Sequence, residues 1–465
     1  MAKLDLKDAL FHFLRNDAGF GDMFGFYAFD SGTDPAPTFA EIETHVRTRA
    51  PAVPALNLVL REAVFNLDFP SWVPASWTTV DRMSDHDLAG ARWSDCQLLV
   101  ATFLETRLDA RRRPWHVHVI RGVTDVPMVR GTATVVVFQV SHALTDGLGL
   151  SRLSAALFAP ASASPDTIGA LLPGHLALRP STSSLAAAGS RAFGFIAAAL
   201  SIPVALARYQ YAHVVARRRY LERRRASAQT GRLGVAARFT AAPTDRHAVL
   251  IAPIPASVLR GLDVSVTSAA LSSVASAMTK YMELHGDPAP QALGATVPVA
   301  IGPDVEWPSA NRVVTGVVDL HADERDPRER ARAIAVSLNE ERTRLTSPEL
   351  LALVRADEHL PAVVLLINRW LARRRTSTVP AERYSHTSVV SVDRAPAILE
   401  LCGGSVVFTA GASMLPADRS VVHGFYGMGE VITLVLHTCP DTIPDRDRYF
   451  TLLIDSLEEL ARPEK

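Results

Sequence analysis

Cysteine is almost missing from this sequence: Cys96, Cys402 and Cys439 are the only three in 465 residues, widely separated and odd in number. Such a set suggests no disulfide scaffold, and no C-x-x-C pair offers a zinc site, which fits a reducing cytoplasm. Net charge is absent as well. Forty-eight basic residues cancel forty-eight acidic ones, so no global field recruits nucleic acid. The N-terminus MAKLDLKDALFHFLRND has no long apolar core followed by a small-residue cleavage site. It does not read as a secretory signal, and the mature chain is expected to start near residue 1. Long apolar runs are also lacking: crossing a bilayer takes about 20 residues, and the stretch from Ala192 to Ala207 falls short. There is no G-x-S-x-G elbow and no P-loop, which leaves serine-hydrolase and nucleotide-hydrolase readings without support. The glycine-rich GFYGMGE, Gly424 to Glu430, does not follow the strand-to-helix pattern of a dinucleotide loop.

What is present is a globular composition, 48% hydrophobic and 21% charged, on a chain two to three domain lengths long. Two α/β halves are expected. The first alternates strands (GFYAF, WHVHVIRG, TATVVVFQV) with helices around Ala40 to Arg49 and Asp95 to Arg107. Residues 159–188, rich in Ala, Ser, Pro and Gly, open an interdomain linker. The run that follows, apolar with Pro203 inside it, ends in the arginines Arg217 to Arg219 and Arg223 to Arg225. It reads as a linker helix packed across both halves or as one lying on a lipid surface. The second half brings the strands HAVLIAPIP, GATVPVAI, RVVTGVVDL, SVVFTA and EVITLVLH. Its helices begin with VTSAALSSVASAMTKYMEL, closed by Gly286 as a left-handed stop. In DPRERARAIAVSLNEER, Asp326 is placed as N-cap, Pro327 as first helical residue and Glu329 as capping-box partner. An amphipathic helix, DRYFTLLIDSLEELA, closes the chain. The boundaries are drawn at 1–180 for the first lobe, 181–235 for the linker helix and 236–465 for the second lobe.

The stretch VVVFQVSHALTDGLGL, Val135 to Leu150, runs from a buried strand into a histidine and then into Asp146-Gly147. In isolation it reads as a helix cap, with Asp146 capping a helix whose buried stripe is Leu150, Leu153 and Leu157. Its context favours more. A strand turning into a helix leaves its last residues at a cleft mouth, where an imidazole that titrates near neutrality can take a proton from a hydroxyl. Asp146 is placed to anchor the turn or to meet an arginine from another segment. Gly147 lets the backbone turn tightly.

Three segments in order carry a resemblance: Ser141-His142-Ala143-Leu144-Thr145-Asp146-Gly147, RLDARRRPWHVHVIRG, and ATVPVAIGPDVEWPSANRVVTGVVDL. Together with the closing strands and helix they resemble the wax ester synthase/diacylglycerol acyltransferase (WS/DGAT) family over nearly the whole chain. That family belongs to the chloramphenicol acetyltransferase-like superfamily, whose hallmark is HHxxxDG. The resemblance implies an α/β fold of two chloramphenicol acetyltransferase-like lobes with mixed sheets and an active-site tunnel at the lobe interface. It implies an acyl-CoA-dependent O-acyltransferase making wax esters or triacylglycerol from a long-chain acyl-CoA and an alcohol or diacylglycerol. No cofactor is implied beyond acyl-CoA as substrate. His142 is carried over as general base in direct attack on the thioester, and Asp146 as a structural anchor next to Gly147. Ser141, Trp115, His118, Asn311 and Arg312 are carried over as substrate-binding, with Asn311 or the backbone near Gly147 as oxyanion donors. A cytoplasmic location is implied, with peripheral contact to the inner membrane or lipid bodies left open.

The sequence also departs from the family pattern. Ser141 stands where the motif has its first histidine, Thr267-Ser268 replace an Asn-Asp pair, Ala300-Ile301-Gly302 lack an expected arginine, and Ser391-Val392-Asp393-Arg394-Ala395 stand for S-N-V-P-G. A condensation-like transferase with another acceptor or a carrier-bound donor, and a silent acyl- or lipid-binding relative, therefore stay open. His116 and His118 share one face of a strand as metal ligands can, but no third ligand has a suggestive spacing, and no metal is expected. Trp72, Trp77, Trp93 and Trp115 are too scattered for a base-stacking platform and read as core.

Overall fold

The computed structural model describes residues 2–462 apart from 18, 34, 161, 164–189, 225–231, 236, 289, 375–381 and 395–397. Two six-stranded mixed sheets carry the chain, one per lobe. The first runs in the order Glu400–Leu401, Gly404–Ala412, Asp22–Asp30, Ala133–Ser141, Trp115–Val123, Met83–Asp87. The second runs Val313–Asp319, Gly294–Ala300, Thr387–Asp393, Val421–Met428, Val431–Thr438, Ala248–Pro255. This is the two-lobed α/β architecture expected, and GFYGMGE belongs to one of its strands and the turn after it.

All nine residues of Ala133–Ser141 are buried because the strand is central and covered on both faces. A near-continuous β-branched run is what such a strand requires. Val136, Phe138 and Val140 face the core beneath helix Gly147–Leu157, packing with Leu150, Leu153 and Leu157. Val135 and Val137 face the other way, into a cluster that joins Trp93 and Phe408 to Ile251 and Val435 of the second sheet. That cluster is the contact between the lobes. Gln97 Oε1 reinforces it by accepting from Ile251 N at 2.7 Å.

The strand Gly404–Ala412 lies within the span assigned to the second lobe, yet it is hydrogen-bonded in the first-lobe sheet, antiparallel to Asp22–Asp30 from Ser405↔Asp30 to Ala412↔Phe24. The lobes are therefore interleaved and not successive. The physical reason is an edge: without this strand, the apolar Asp22–Asp30 would present unpaired amides and carbonyls to water.

Helix Val266–Leu284 is followed by Gly286 at φ +70°, the left-handed stop expected. Helix Pro327–Leu345 is capped by Asp326, which accepts from Arg328 N at 2.8 Å and Glu329 N at 2.9 Å. Glu329 does not complete the box. Its carboxylate pairs with Arg332, and Glu324 accepts the Asp326 N–H at 2.9 Å.

The expected linker helix runs from Ser190 to Arg224 with Pro203 inside it and packs on helix Pro348–Ala356. The linker segment before it falls almost wholly outside the described residues, as do Arg225 and the side chains of Arg223 and Arg224. Among the described residues, no helix is long and apolar enough to cross a membrane.

Candidate active site

The strand Ala133–Ser141 ends where Ser141 N donates to Pro114 O at 2.8 Å, and the chain then turns, with Leu144 N donating back to Ser141 O at 2.9 Å. His142 lies in this turn and Asp146 ends it. Asp146 Oδ1 accepts from Gly149 N at 2.8 Å and caps helix Gly147–Leu157; its Oδ2 accepts from Arg312 N of the second lobe at 2.9 Å. The carboxylate is thus a cap and a clasp between lobes at once. The glycine the turn needs is Gly149 and not Gly147. A Cβ on Gly149 would lie 1.6 Å from Thr145 Oγ1, whereas one on Gly147 would meet nothing within 4 Å.

The His142 ring stacks on Phe11, with centroids 3.8 Å apart and planes 5° from parallel. Its backbone carbonyl accepts from Asn311 Nδ2 at 2.9 Å. Nδ1 is buried without a partner. Among the described residues Nε2 has no hydrogen-bond partner, and it is the nitrogen left open. Burial pushes the imidazole below the ordinary histidine value of 6.5, against an upward pull from Asp146 and Asn311, and the Lys7 cation adds to the lowering.

Two residues of the N-terminal helix Leu6–Phe13 complete the centre, and sequence reasoning missed both. Asp8 is buried and holds the facing loop of the second lobe: Oδ1 accepts from Asn311 Nδ2 at 2.7 Å and Asn311 N at 3.2 Å, and Oδ2 accepts from Ala310 N at 2.9 Å. Burial raises its pKa, while Asn311 and Ser309 oppose the rise. Lys7 donates to Val313 O, lies 5.2 Å from the centroid of the Trp307 ring, and has Asp8 and Asp146 in its field. The available signal was a carboxylate on the buried stripe of a short helix, beside Leu6, Ala9 and Phe13.

These groups open on a cavity of about 1070 Å³ between the lobes. His142, Asp146, Gly147 and Asn311 line it, with Lys7 and Phe11. A second cavity, about 390 Å³, lies between the N-terminal segment and the long helix and holds none of the motif residues.

The remaining residues singled out do not reach the main cavity. Trp115 is fully buried, donates to Leu56 O at 2.9 Å and meets Trp77 edge-on at 5.0 Å. Strand alternation turns it into the core with Val117 and Val119. The same alternation puts His116 and His118 on the other face, where both ring nitrogens approach Ser84 Oγ, at 3.2 and 3.0 Å. Burial holds His116 at about 3 and His118 at about 4. No group of three or more possible metal ligands occurs among the described residues. Ser141 is buried at the strand end. The Arg312 side chain staples its own loop, donating to the carbonyls of Gly302 and Val305. Asn311 Nδ2 is already committed to Asp8 and to the His142 carbonyl, so Asn311 positions the His142 turn and has no N–H left to offer an oxyanion.

Residues 309–461 match the WS/DGAT C-terminal domain. The match spans the last third of the chain. The match begins at Ser309, the first residue of the loop held by Asp8. No match was found among curated proteins. Among solved structures, the chain is similar to the wax ester synthase/diacylglycerol acyltransferase from Marinobacter aquaeolei VT8, with a TM-score of 0.64 and 19% identity over 99% of this chain and 98% of that one. The TRI3 trichothecene 15-O-acetyltransferase from Fusarium sporotrichioides matches at 0.55, with 12% identity over 98% and 95%. A variant of the starter condensation domain of rhizomide synthetase RzmA, in complex with C8-CoA, matches at 0.51, with 13% identity over 99% and 95%. These likenesses establish the fold. With the match to the WS/DGAT C-terminal domain, the protein is an acyltransferase.

Proposed function

We propose that this acyltransferase joins a long-chain acyl group from acyl-CoA to the hydroxyl of an alcohol or diacylglycerol, with His142 as general base. One observation carries the reading: His142 presents Nε2 to a large inter-lobe cavity while Phe11, Asn311 and Asp8 fix its ring and backbone. With the proton on Nδ1, Nε2 holds the lone pair. It accepts the acceptor's hydroxyl proton as the oxygen attacks the thioester carbonyl. The tetrahedral intermediate then expels the CoA thiolate, which takes the proton back from the imidazolium, and no acyl-enzyme forms. The backbone N–H groups of Gly147 and Leu148, at the positive end of a helix and on the cavity wall, stabilise the oxyanion together with the Lys7 ammonium.

The acceptor is met at a lipid surface. Helix Ser190–Arg224 exposes Val204, Tyr211, Val214 and Leu221 at helical spacing beside the exposed Arg217, Arg218 and Arg219. Mass spectrometry of the products formed from mixed acyl-CoAs and mixed alcohols tests the reaction. Long-chain esters are expected; the absence of any thioester cleavage across the panel would refute it.

A further inference from the structure

Arg394, a cation on the wall of the catalytic cavity, has only neutral hydrogen-bond partners among the described residues. Arg394 follows the strand Thr387–Asp393, and its own N–H donates to Gly427 O at 2.8 Å, which fixes where the side chain departs. The guanidinium reaches the first-lobe sheet, where Nη1 donates to Thr409 Oγ1, to Ala410 O at 2.9 Å and to Tyr27 OH at 3.4 Å. It lies 4.8 Å from the Tyr426 ring centroid and 5.6 Å from that of Tyr27. Space is kept for it at Gly411, where a Cβ would come within 2.8 Å of Nη2. Nε is buried and unpartnered. Among the described residues Nη2 also makes no hydrogen bond, and it is the open end of the group.

Arg344 lines the same cavity, but Glu341 neutralises it, accepting from Nε at 2.7 Å. Asp393, next to Arg394 in the chain, is exposed. Around Arg394 the wall alternates apolar and polar residues, Val390, Val392 and Ala412 with Ser391, Asp393 and Ser413. A guanidinium whose charge is met only by aromatic faces and neutral acceptors, and whose planar fork has unused N–H groups, is suited to a carboxylate or phosphate. Its distance from the chemistry follows from strand register. Asp22 pairs with Ser141 beside His142, and Tyr27 is five residues further along, roughly 16 Å at about 3.3 Å per residue.

We propose that Arg394 is a specificity residue that binds an anionic end group, carboxylate or phosphate, of a substrate whose reacting atoms lie at His142. The inference rests on the acyltransferase reading. The anion is either the acidic terminus of an acyl or acceptor chain or a phosphate of the CoA donor.

Calorimetric binding of dodecanoate, dodecanol and free CoA to the intact wild type, R394M and R394K tests this without turnover, so a failure of acyl transfer leaves the result readable. R394M is expected to weaken dodecanoate by about tenfold or more and to leave dodecanol unchanged, with partial recovery in R394K. Loss of CoA affinity with dodecanoate unchanged supports the donor phosphate as the anion. Unchanged affinity for both, or an equal loss for dodecanol, overturns the proposal. If R394M does not fold, the wild type and R394K decide. A wild type that prefers neither dodecanoate over dodecanol nor binds CoA overturns it, as does an R394K whose affinities for both anions equal those of the wild type.

Discussion

At the scale of single residues, the centre works by restraint. The His142 ring is held by its stack on Phe11, and its carbonyl is tied to Asn311 across the lobe boundary. Replacing His142 with Ala should lower kcat/KM about 10³-fold while melting temperature and acyl-CoA binding stay near wild type; a rate within a few-fold of wild type would remove it as the base. Its pH dependence follows from burial. In the proposed mechanism the neutral imidazole is the active form, and burial holds its pKa below 6.5. The acidic limb of kcat/KM should therefore be centred below pH 6.5, and a limb centred above 6.5 would contradict this. Asp146 was legible as a cap because N-caps act over three residues, and the structure keeps that role. Its bond to Arg312 N spans 166 residues and could not be read from spacing.

At the scale of elements, most strands and helices were legible because burial leaves a period in the sequence. Short polar elements were not. The strand Met83–Asp87 reads MSDHD and buries only Met83, and it forms because the edge of Trp115–Val123 is there to pair with it. Thr267, which stands where the family pattern has an asparagine, donates Oγ1 at 3.1 Å to Ser391 Oγ, the serine that the S-N-V-P-G segment keeps, on the cavity wall that Ser391 lines. Helix Ser190–Arg224 carries its own prediction. Binding to phosphatidylglycerol vesicles should weaken severalfold when Arg217, Arg218 and Arg219 become Gln, and should weaken with added salt, because exposed charges are screened. Cosedimentation measures it, and indifference to the triple change would reject the surface role.

At the scale of the whole molecule, the two lobes stand or fall together. A fragment ending at residue 235 lacks Gly404–Ala412 and exposes the apolar edge of Asp22–Asp30, so it should be recovered as aggregate, without the cooperative melt of the full chain. A soluble, cooperatively melting fragment would contradict the interleaved architecture. Acid should also destabilise the fold. Burial holds His116, His423 and His437 at about 3, and His118 and His247 at about 4. Below pH 6.5 the unfolded chain binds protons that these five refuse when folded, so stability is lost as pH falls from 6.5 toward 4. Asp22 and Glu358, raised to about 7 by burial, bind protons more readily when folded and oppose the trend. Five groups against two leave a net fall in melting temperature between pH 7 and 5, measurable by calorimetry.

The sequence by itself determined which segments are buried, where the helices begin and end, and that a histidine and a carboxylate stand one turn apart after a buried strand. Each of these depends on neighbours within a few residues, so the pattern survives in one dimension. Only the tertiary structure decided which of the candidate residues share a cavity. Trp115 and His118 lie three residues apart on one strand, on opposite faces and outside the cavity that His142 lines, while Lys7, Asp8 and Asn311 arrive from some 130 to 170 positions away. Nor could spacing show that a strand near residue 408 closes the sheet begun at residue 22, because hydrogen bonds between strands carry no local signature of their partner.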